Sequence, residues 1–201
     1  MGTNKISKLD FINIFKEKKI LLFNSQDLRK VLNISSENTL KHLIRRLKHA
    51  LIIKRLAQNK YLFLHSDATL SDFTVANFLK IPSYISLESA LSYYSLIDQF
   101  PYRITSIVLS RPKEIKVDNK VFIYSKIKKE YYKDFIKVDQ FLIASKEKAI
   151  FDYLYFSYKG LKSKNLIEDI KLSLRDKKTI SYLKVNADYK FAKFLKRYVK
   201  L

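Results

Sequence analysis

The chain has no cysteine, two glycines, three prolines, and 19 acidic side chains against 40 basic ones in 201 residues. Without cysteine there is no disulfide and no thiolate metal site, and the composition fits a reducing compartment. Scarce glycine and proline argue against long flexible linkers, so the chain is expected to be folded almost throughout. No apolar run reaches the roughly 20 residues of a membrane-spanning helix. The polar start MGTNKISKLD has no apolar stretch of the kind a secretory signal needs. These absences predict a cytoplasmic protein that does not enter a membrane.

What is present in excess is positive charge. The net charge is +21, which creates an electropositive surface that attracts polyanions, nucleic acid first among them. The charge is unevenly placed: residues 1–65 carry 14 basic and 4 acidic side chains, 66–112 carry 3 and 4, and 113–201 carry 23 and 11. Two basic regions flank a near-neutral centre, and the length allows one or two modest cores. The expected organisation is α+β, with an N-terminal winged helix-turn-helix over residues 1–65 and a mixed α/β C-terminal domain over residues 70–201.

The N-terminal pattern begins with Ile6, Leu9, Ile12 and Phe15, one apolar stripe on a helix that ends near Glu17 to Lys19, followed by a short strand at 20–23. Asn24 or Ser25 can cap a second helix through Leu32, with Asp27 in its first turn and Leu28, Val31 and Leu32 inward. Asn33 and Ile34 make a turn. Ser35 or Ser36 then starts a third helix to about Ala50, buried through Leu40, Leu43, Ile44 and Leu47.

The other face of that third helix has the composition of a recognition helix. Ser36, Asn38, Thr39, Lys41, His42, Arg45, Arg46 and Lys48 fall at its start or mainly outside the apolar stripe. Asn and Arg can make paired hydrogen bonds to base edges in the major groove, whereas Lys41 and Lys48 suit phosphates. In helix-turn-helix docking the N-terminal residues of the second motif helix reach bases, which favours Asn38, Thr39, Lys41 and His42; Arg45 suits either task. Two strands at 51–56 and 61–64 follow, joined by Ala57-Gln58-Asn59-Lys60 as a hairpin or wing. Lys54, Arg55, Gln58, Asn59 and Lys60 then lie at or near its tip, within reach of the phosphate backbone or minor groove. Double-stranded promoter DNA is the expected partner.

Beyond a boundary at 66–68, Ser71 or Asp72 can start a helix with Val75, Ala76, Phe78 and Leu79 inward. The segment IPSYISLESALSYYSLI (residues 81–97) follows. Pro82 biases Ile81 toward extended backbone, Ser86 can cap a helix with Glu88 in its first turn, and Leu87, Ala90, Leu91 and Tyr94 recur at helical spacing. Tyr84, Tyr93 and Tyr94 suit a core or an interface better than a platform for stacked bases. A strand at 104–110, a hairpin of 114–117 with 121–127, and an apolar run at 141–144 come next. Ser145 can then cap a helix carrying Ala149, Ile150, Tyr153 and Leu154. Residues 165–174 and 189–199 have the pattern of amphipathic basic helices, with Lys190, Lys193, Lys196 and Arg197 suited to nucleic acid, to an acidic partner, or simply to solvent.

Two of these segments, IPSYISLESALSYYSLI and IASKEKAIFDYLY (residues 143–155), resemble the recurring signatures of AbiEi-type antitoxins, transcriptional regulators of bacterial abortive-infection toxin–antitoxin pairs. With the winged-helix pattern before them, the resemblance spans roughly residues 20–157. It implies a bipartite protein: an N-terminal domain that represses its own operon by binding promoter repeats, and a C-terminal domain needed to counteract a cognate toxin. That toxin, an implied partner, is a nucleotidyltransferase-like protein of AbiEii type. A free-standing winged-helix regulator without a toxin and a basic RNA-binding module are the alternatives.

Catalysis finds little support in the pattern. Lys146, Glu147, Lys148 and Asp152 cluster on one expected helix, with Asp139 upstream, but neither a metal-binding carboxylate pair nor a glycine-rich phosphate loop accompanies them. The cluster is expected to be a structural helix with solvated charges, and no enzyme activity, cofactor or metal is expected. His42 and His49 share a helix face but stand roughly 10 Å apart along its axis, too far for one metal.

Overall fold

The computed structural model describes residues 6–98 and 102–198, and the chain divides into two units, residues 1–70 and 71–201. Both are mixtures of helix and sheet.

In the first unit the order is α1 (Lys8–Glu17), β1 (Leu22–Asn24), α2 (Ser25–Val31), α3 (Glu37–His49), β2 (Ile53–Ala57) and β3 (Lys60–Phe63). The strands form an antiparallel sheet in the order β1-β3-β2. Large aromatic side chains set how α1 lies on it. Phe11 and Phe15, four residues apart and so on one helix face, stack with ring centroids 4.1 Å apart, and Phe15 meets Phe23 edge-on at 4.9 Å. This pair rotates α1 away from the register expected from Ile6, Leu9, Ile12 and Phe15: Phe11 is buried and Leu9 is 65% exposed. Burying two phenylalanines outweighs burying one leucine in removed apolar area.

Asn24 closes the N-terminus of α2. Its Oδ1 accepts from the Gln26 and Asp27 N–H groups at 2.8 and 2.9 Å, while the Asp27 carboxylate accepts from the Asn24 N–H at 2.9 Å. Asn33 takes a left-handed backbone (φ 49°), a conformation Asn tolerates better than most residues, and so turns the chain from α2 toward α3. The Leu40, Leu43 and Leu47 side chains seat α3 on the phenylalanine cluster. Asn59, also left-handed (φ 56°), makes the β2–β3 turn, and the pairing register shifts between Arg55 and Ala57.

The second unit runs α4 (Asp72–Leu79), β4 (Ser83–Ile85), α5 (Glu88–Tyr93), β5 (Arg103–Val108), β6 (Lys113–Val117), β7 (Lys120–Lys126), a 3-10 turn at Lys129–Tyr131, β8 (Phe135–Val138), β9 (Phe141–Ala144), α6 (Lys146–Tyr158), α7 (Asn165–Asp169), a 3-10 stretch at Ile170–Arg175, α8 (Lys177–Asn186) and α9 (Tyr189–Leu195). Six strands form one mixed sheet in the order β6-β7-β5-β4-β9-β8. The β4–β9 and β5–β7 pairs are parallel and the other three antiparallel. Helix α6 is the central one, with every residue from Lys148 to Ser157 buried. Its Phe151 and Tyr155 rings meet Phe191 of α9 edge-on at 5.4 and 5.6 Å.

Several expectations are corrected here. Residues 135–138 form a strand, β8, and residues 177–186 form a helix, α8; neither was expected. The continuous helix expected over 165–174 is instead α7 followed by a 3-10 stretch. Val199, assigned to the last helix by periodicity, lies outside the described residues. The largest correction concerns Ser86, which does not cap α5. The residue before the helix is Leu87, buried and left-handed (φ 59°), and it makes no side-chain cap. The cap comes from another strand. Thr105 of β5 accepts the Ser89 N–H at 3.1 Å through Oγ1, donates from the same hydroxyl to the Ser86 carbonyl at 2.7 Å, and gives its own N–H to Ser89 Oγ at 2.8 Å. Orphan groups at the helix start are thus satisfied across the fold rather than locally. The Ile81–Pro82 bond is cis.

Candidate nucleic-acid interface

Ser36 fixes where α3 begins: its Oγ accepts the Thr39 N–H at 3.4 Å. With Leu40, Leu43 and Leu47 turned inward, helical geometry sends Asn38, Lys41, Arg45 and Lys48 to the opposite side, and all four are exposed, as are Thr39 and His42. The Ser36 hydroxyl oxygen is thereby engaged at the helix start.

Charge on this face is modulated by Glu37. Its carboxylate meets Arg29 at 3.0 Å and Lys41 at 3.9 Å. An acid in the first turn complements the helix dipole, but exposed pairs of this kind hold little free energy, so a phosphate can draw Lys41 away from Glu37. Arg46 behaves differently from its neighbours. It is half-buried, and its guanidinium donates to the Ile6 carbonyl, tying α3 to the segment that enters α1. Arg46, expected beside Arg45 on the DNA-facing side, sits at an angle between the buried stripe and the exposed face, and there one terminal nitrogen meets backbone.

On the β2–β3 hairpin, Gln58 and Asn59 are exposed at the tip and Arg55 is exposed on β2, where its Nε donates to the Ala57 carbonyl at 3.2 Å. Lys54 and Lys60 are half-buried along the strands. The hairpin thus carries five polar or cationic side chains in the same unit as α3.

On one flank of α3 the surface forms a shallow, open depression. His42, Arg45, Arg46, His49 and Ala50 of α3 and its C-terminal cap join Lys8 of α1 around a cleft of about 440 Å³. Two of these residues, Lys8 and His49, stand outside the sequence-based list. His49 was legible through its seven-residue spacing from His42, but Lys8 comes from a different helix, and no spacing within α3 points to it.

In the second unit the charge cluster on α6 is not solvated as expected. Lys146 is exposed and Glu147 half-buried, but Lys148 and Asp152, one turn apart, form an ion pair with 1% and 0% side-chain exposure. Asp152 also accepts from Ser86 Oγ at 2.7 Å and Tyr84 Oη at 3.0 Å. Burial raises the Asp152 carboxyl above its ordinary range, opposed by the Lys148 ammonium and these hydroxyls. Burial, followed by the nearby Asp152, pushes the Tyr84 phenol up. The Lys148 ammonium lies 4.9 Å from the Phe151 ring centroid, over its face. All four polar groups lie in the core, and Asp139 is apart from them in the exposed β8–β9 turn. They hold β4 against α6. Tyr94, too, is structural, donating to the Ala144 carbonyl at 2.8 Å, whereas Tyr93 is 45% exposed.

At the end of the chain α9 buries Phe191 and Leu195 and exposes Lys190 and Lys193; Lys196 and Arg197 beyond it are exposed as well. Asp188 caps it, accepting the Phe191 N–H at 2.8 Å and the Tyr131 hydroxyl at 3.2 Å. These bonds hold the Asp188 carboxyl below its ordinary value, while burial and the adjacent carboxylate push the Tyr131 phenol up to about 12.

Among the described residues, no group of three or more His, Cys, Asp or Glu side chains is placed to hold a metal ion, and no helix is long and apolar enough to cross a membrane. No protein-family model and no curated protein matches the chain.

Proposed function

We propose that the first unit is a winged helix-turn-helix that binds double-stranded DNA in the cell's cytoplasm, with α3 in the major groove and the β2–β3 hairpin as its wing, and that the protein represses its own promoter. The observation that carries this reading is the exposed face of α3, where Asn38, Lys41, Arg45 and Lys48 project away from a helix seated by three leucines. Asn38 and Arg45 carry the paired donors and acceptors that base edges require, and Lys41 and Lys48 supply phosphate neutralisation. The charge of +21 adds the long-range attraction such docking uses.

The second unit is, on the resemblance to AbiEi-type antitoxins, the part that counteracts a toxin of nucleotidyltransferase type. Its buried Lys148–Asp152 pair lies in one of the two segments that carry the resemblance, and the Tyr84 and Ser86 hydroxyls that complete it lie in the other. The two segments therefore share one core, and that burial supports reading the second unit as a binding protein.

The test replaces Asn38 and Arg45 together by alanine in the full chain. The double variant should lose preference for the DNA upstream of its own gene over an unrelated duplex and still rescue growth when the neighbouring toxin is expressed. Unchanged preference, or tighter binding of structured RNA than of that DNA by the unaltered protein, would overturn the reading.

A further inference from the structure

The cleft on the flank of α3 has features that an exposed recognition face does not need. It is concave, and it gathers cationic or protonatable side chains from two helices: Lys8 from α1, and His42, Arg45, Arg46 and His49 from α3. Among the described residues, no carboxylate lines it. The nearest acidic side chain along α1, Asp10, is turned to its own helix start, where its Oδ2 accepts the Ser7 N–H at 3.0 Å and the Ser7 hydroxyl accepts the Asp10 N–H at 3.0 Å. The floor is fixed in advance, because the Arg46 guanidinium is anchored on the Ile6 carbonyl, and its Nε–H has no acceptor among the described residues. Lys8 stands in the first turn of a ten-residue helix, where the dipole adds to the positive potential. Like charges held around a concave wall repel one another, and the arrangement is relieved by an anion.

We propose that this cleft is a phosphate site, and that protonation of His42 and His49 tightens it. The inference deepens the nucleic-acid reading above and rests on it for the source of the phosphate; the same chemistry would serve a free phosphate monoester. An oxyanion in this cleft faces the side chains of Arg45, Arg46 and Lys8 and the imidazoles of His42 and His49, the side-chain type that gains or loses a proton most readily near neutral pH. Each histidine that takes up a proton adds a donor and a positive charge facing the anion. By linkage, anion binding and proton uptake favour each other, so affinity falls as pH rises through the histidine range.

Sulfate is the first probe, because it is tetrahedral and does not titrate between pH 6 and 8. In the full chain, with the histidine ring resonances followed by NMR, added sulfate should shift the His42 and His49 resonances and leave that of His65, which is not part of the cleft, unmoved. The second arm measures a duplex of the upstream DNA at pH 6.0 and 7.5 at constant ionic strength. Affinity of the unaltered protein should fall by about tenfold across that interval, the scale of one to two coupled protonations, and His42→Gln with His49→Gln should flatten the dependence. A sulfate response without duplex binding would leave the cleft as a site for a free phosphate and remove the nucleic-acid reading. Tight duplex binding with His42 and His49 unmoved by sulfate would overturn the cleft and leave that reading intact. A fall in affinity that persists in the double variant would overturn the role of the histidines.

Discussion

At the scale of single residues, two groups of side chains do different work. Lys148 and Asp152 pair in the core and are tolerable there because each faces the other and the Ser86 and Tyr84 hydroxyls complete the carboxylate's hydrogen bonding. Removing one member strands the other. Lys148→Met should therefore destabilise the second unit by about 3–5 kcal/mol, read as a lowered urea midpoint, and a loss below about 1 kcal/mol would mean that the pair is not buried as described. On α3, the proposed recognition helix, the energies to measure are those of discrimination between duplexes. Asn38→Ala and Arg45→Ala should each cost about 1–3 kcal/mol of discrimination between the preferred duplex and a mismatched one, whereas Lys48→Ala should weaken all duplexes alike, a difference that competition binding resolves. Lys148 also marks where reading from sequence reached its end. A lysine one turn before an aspartate on an amphipathic pattern has the same appearance whether the pair is solvated or buried, and only the packing of β4 against α6 decides.

At the scale of elements, helix starts are the places where local sequence and local structure agree best. Asn24, Ser36, Ser71 and Ser145 all cap the helices that follow them. Asn24→Ala should lower the stability of the first unit by about 1 kcal/mol, measurable by chemical denaturation. The α5 start was illegible for the opposite reason: its cap is Thr105, sixteen residues away from Ser89. Strand β8 was missed because residues 135–138 expose Ile136 and Lys137 at the sheet edge and so lack an apolar alternation. Helix α8 hides its burial in Thr179 and Leu183 alone. Its cap, Asp176, and the cap of α9, Asp188, make a pH prediction. Backbone N–H groups, Thr179 for the first and Phe191 for the second, hold both carboxyls below their ordinary value. A carboxyl depressed in the folded state contributes stability that is complete above its unfolded pKa of about 3.9 and is lost as pH falls through the folded value. Protection of the Thr179 and Phe191 amides, taken relative to their intrinsic exchange rates, should fall below about pH 4, and Asp188→Asn, which keeps an acceptor but not the charge, should remove that pH dependence for Phe191.

At the scale of the whole molecule, the charge of +21 and the face of α3 make separate predictions that are easily confused. Charge alone would give binding to any duplex, with an affinity that falls steeply with salt; on the proposed reading the exposed Asn38 and Arg45 would add a preference that persists when salt has removed most of the nonspecific term. The leucine spacing made the exposed face of α3 legible, but neither it nor the composition indicated the cleft, which needs α1 and α3 side by side. The most direct measurement is therefore the affinity of the full chain for the DNA upstream of its own gene and for an unrelated duplex of equal length, each across a salt titration. The prediction is that both affinities fall with salt while the upstream duplex stays the tighter by at least about a thousandfold, the lower end of the range for specific binding. Equal affinities with equal salt slopes would contradict sequence-specific recognition and leave only attraction between a basic protein and a polyanion.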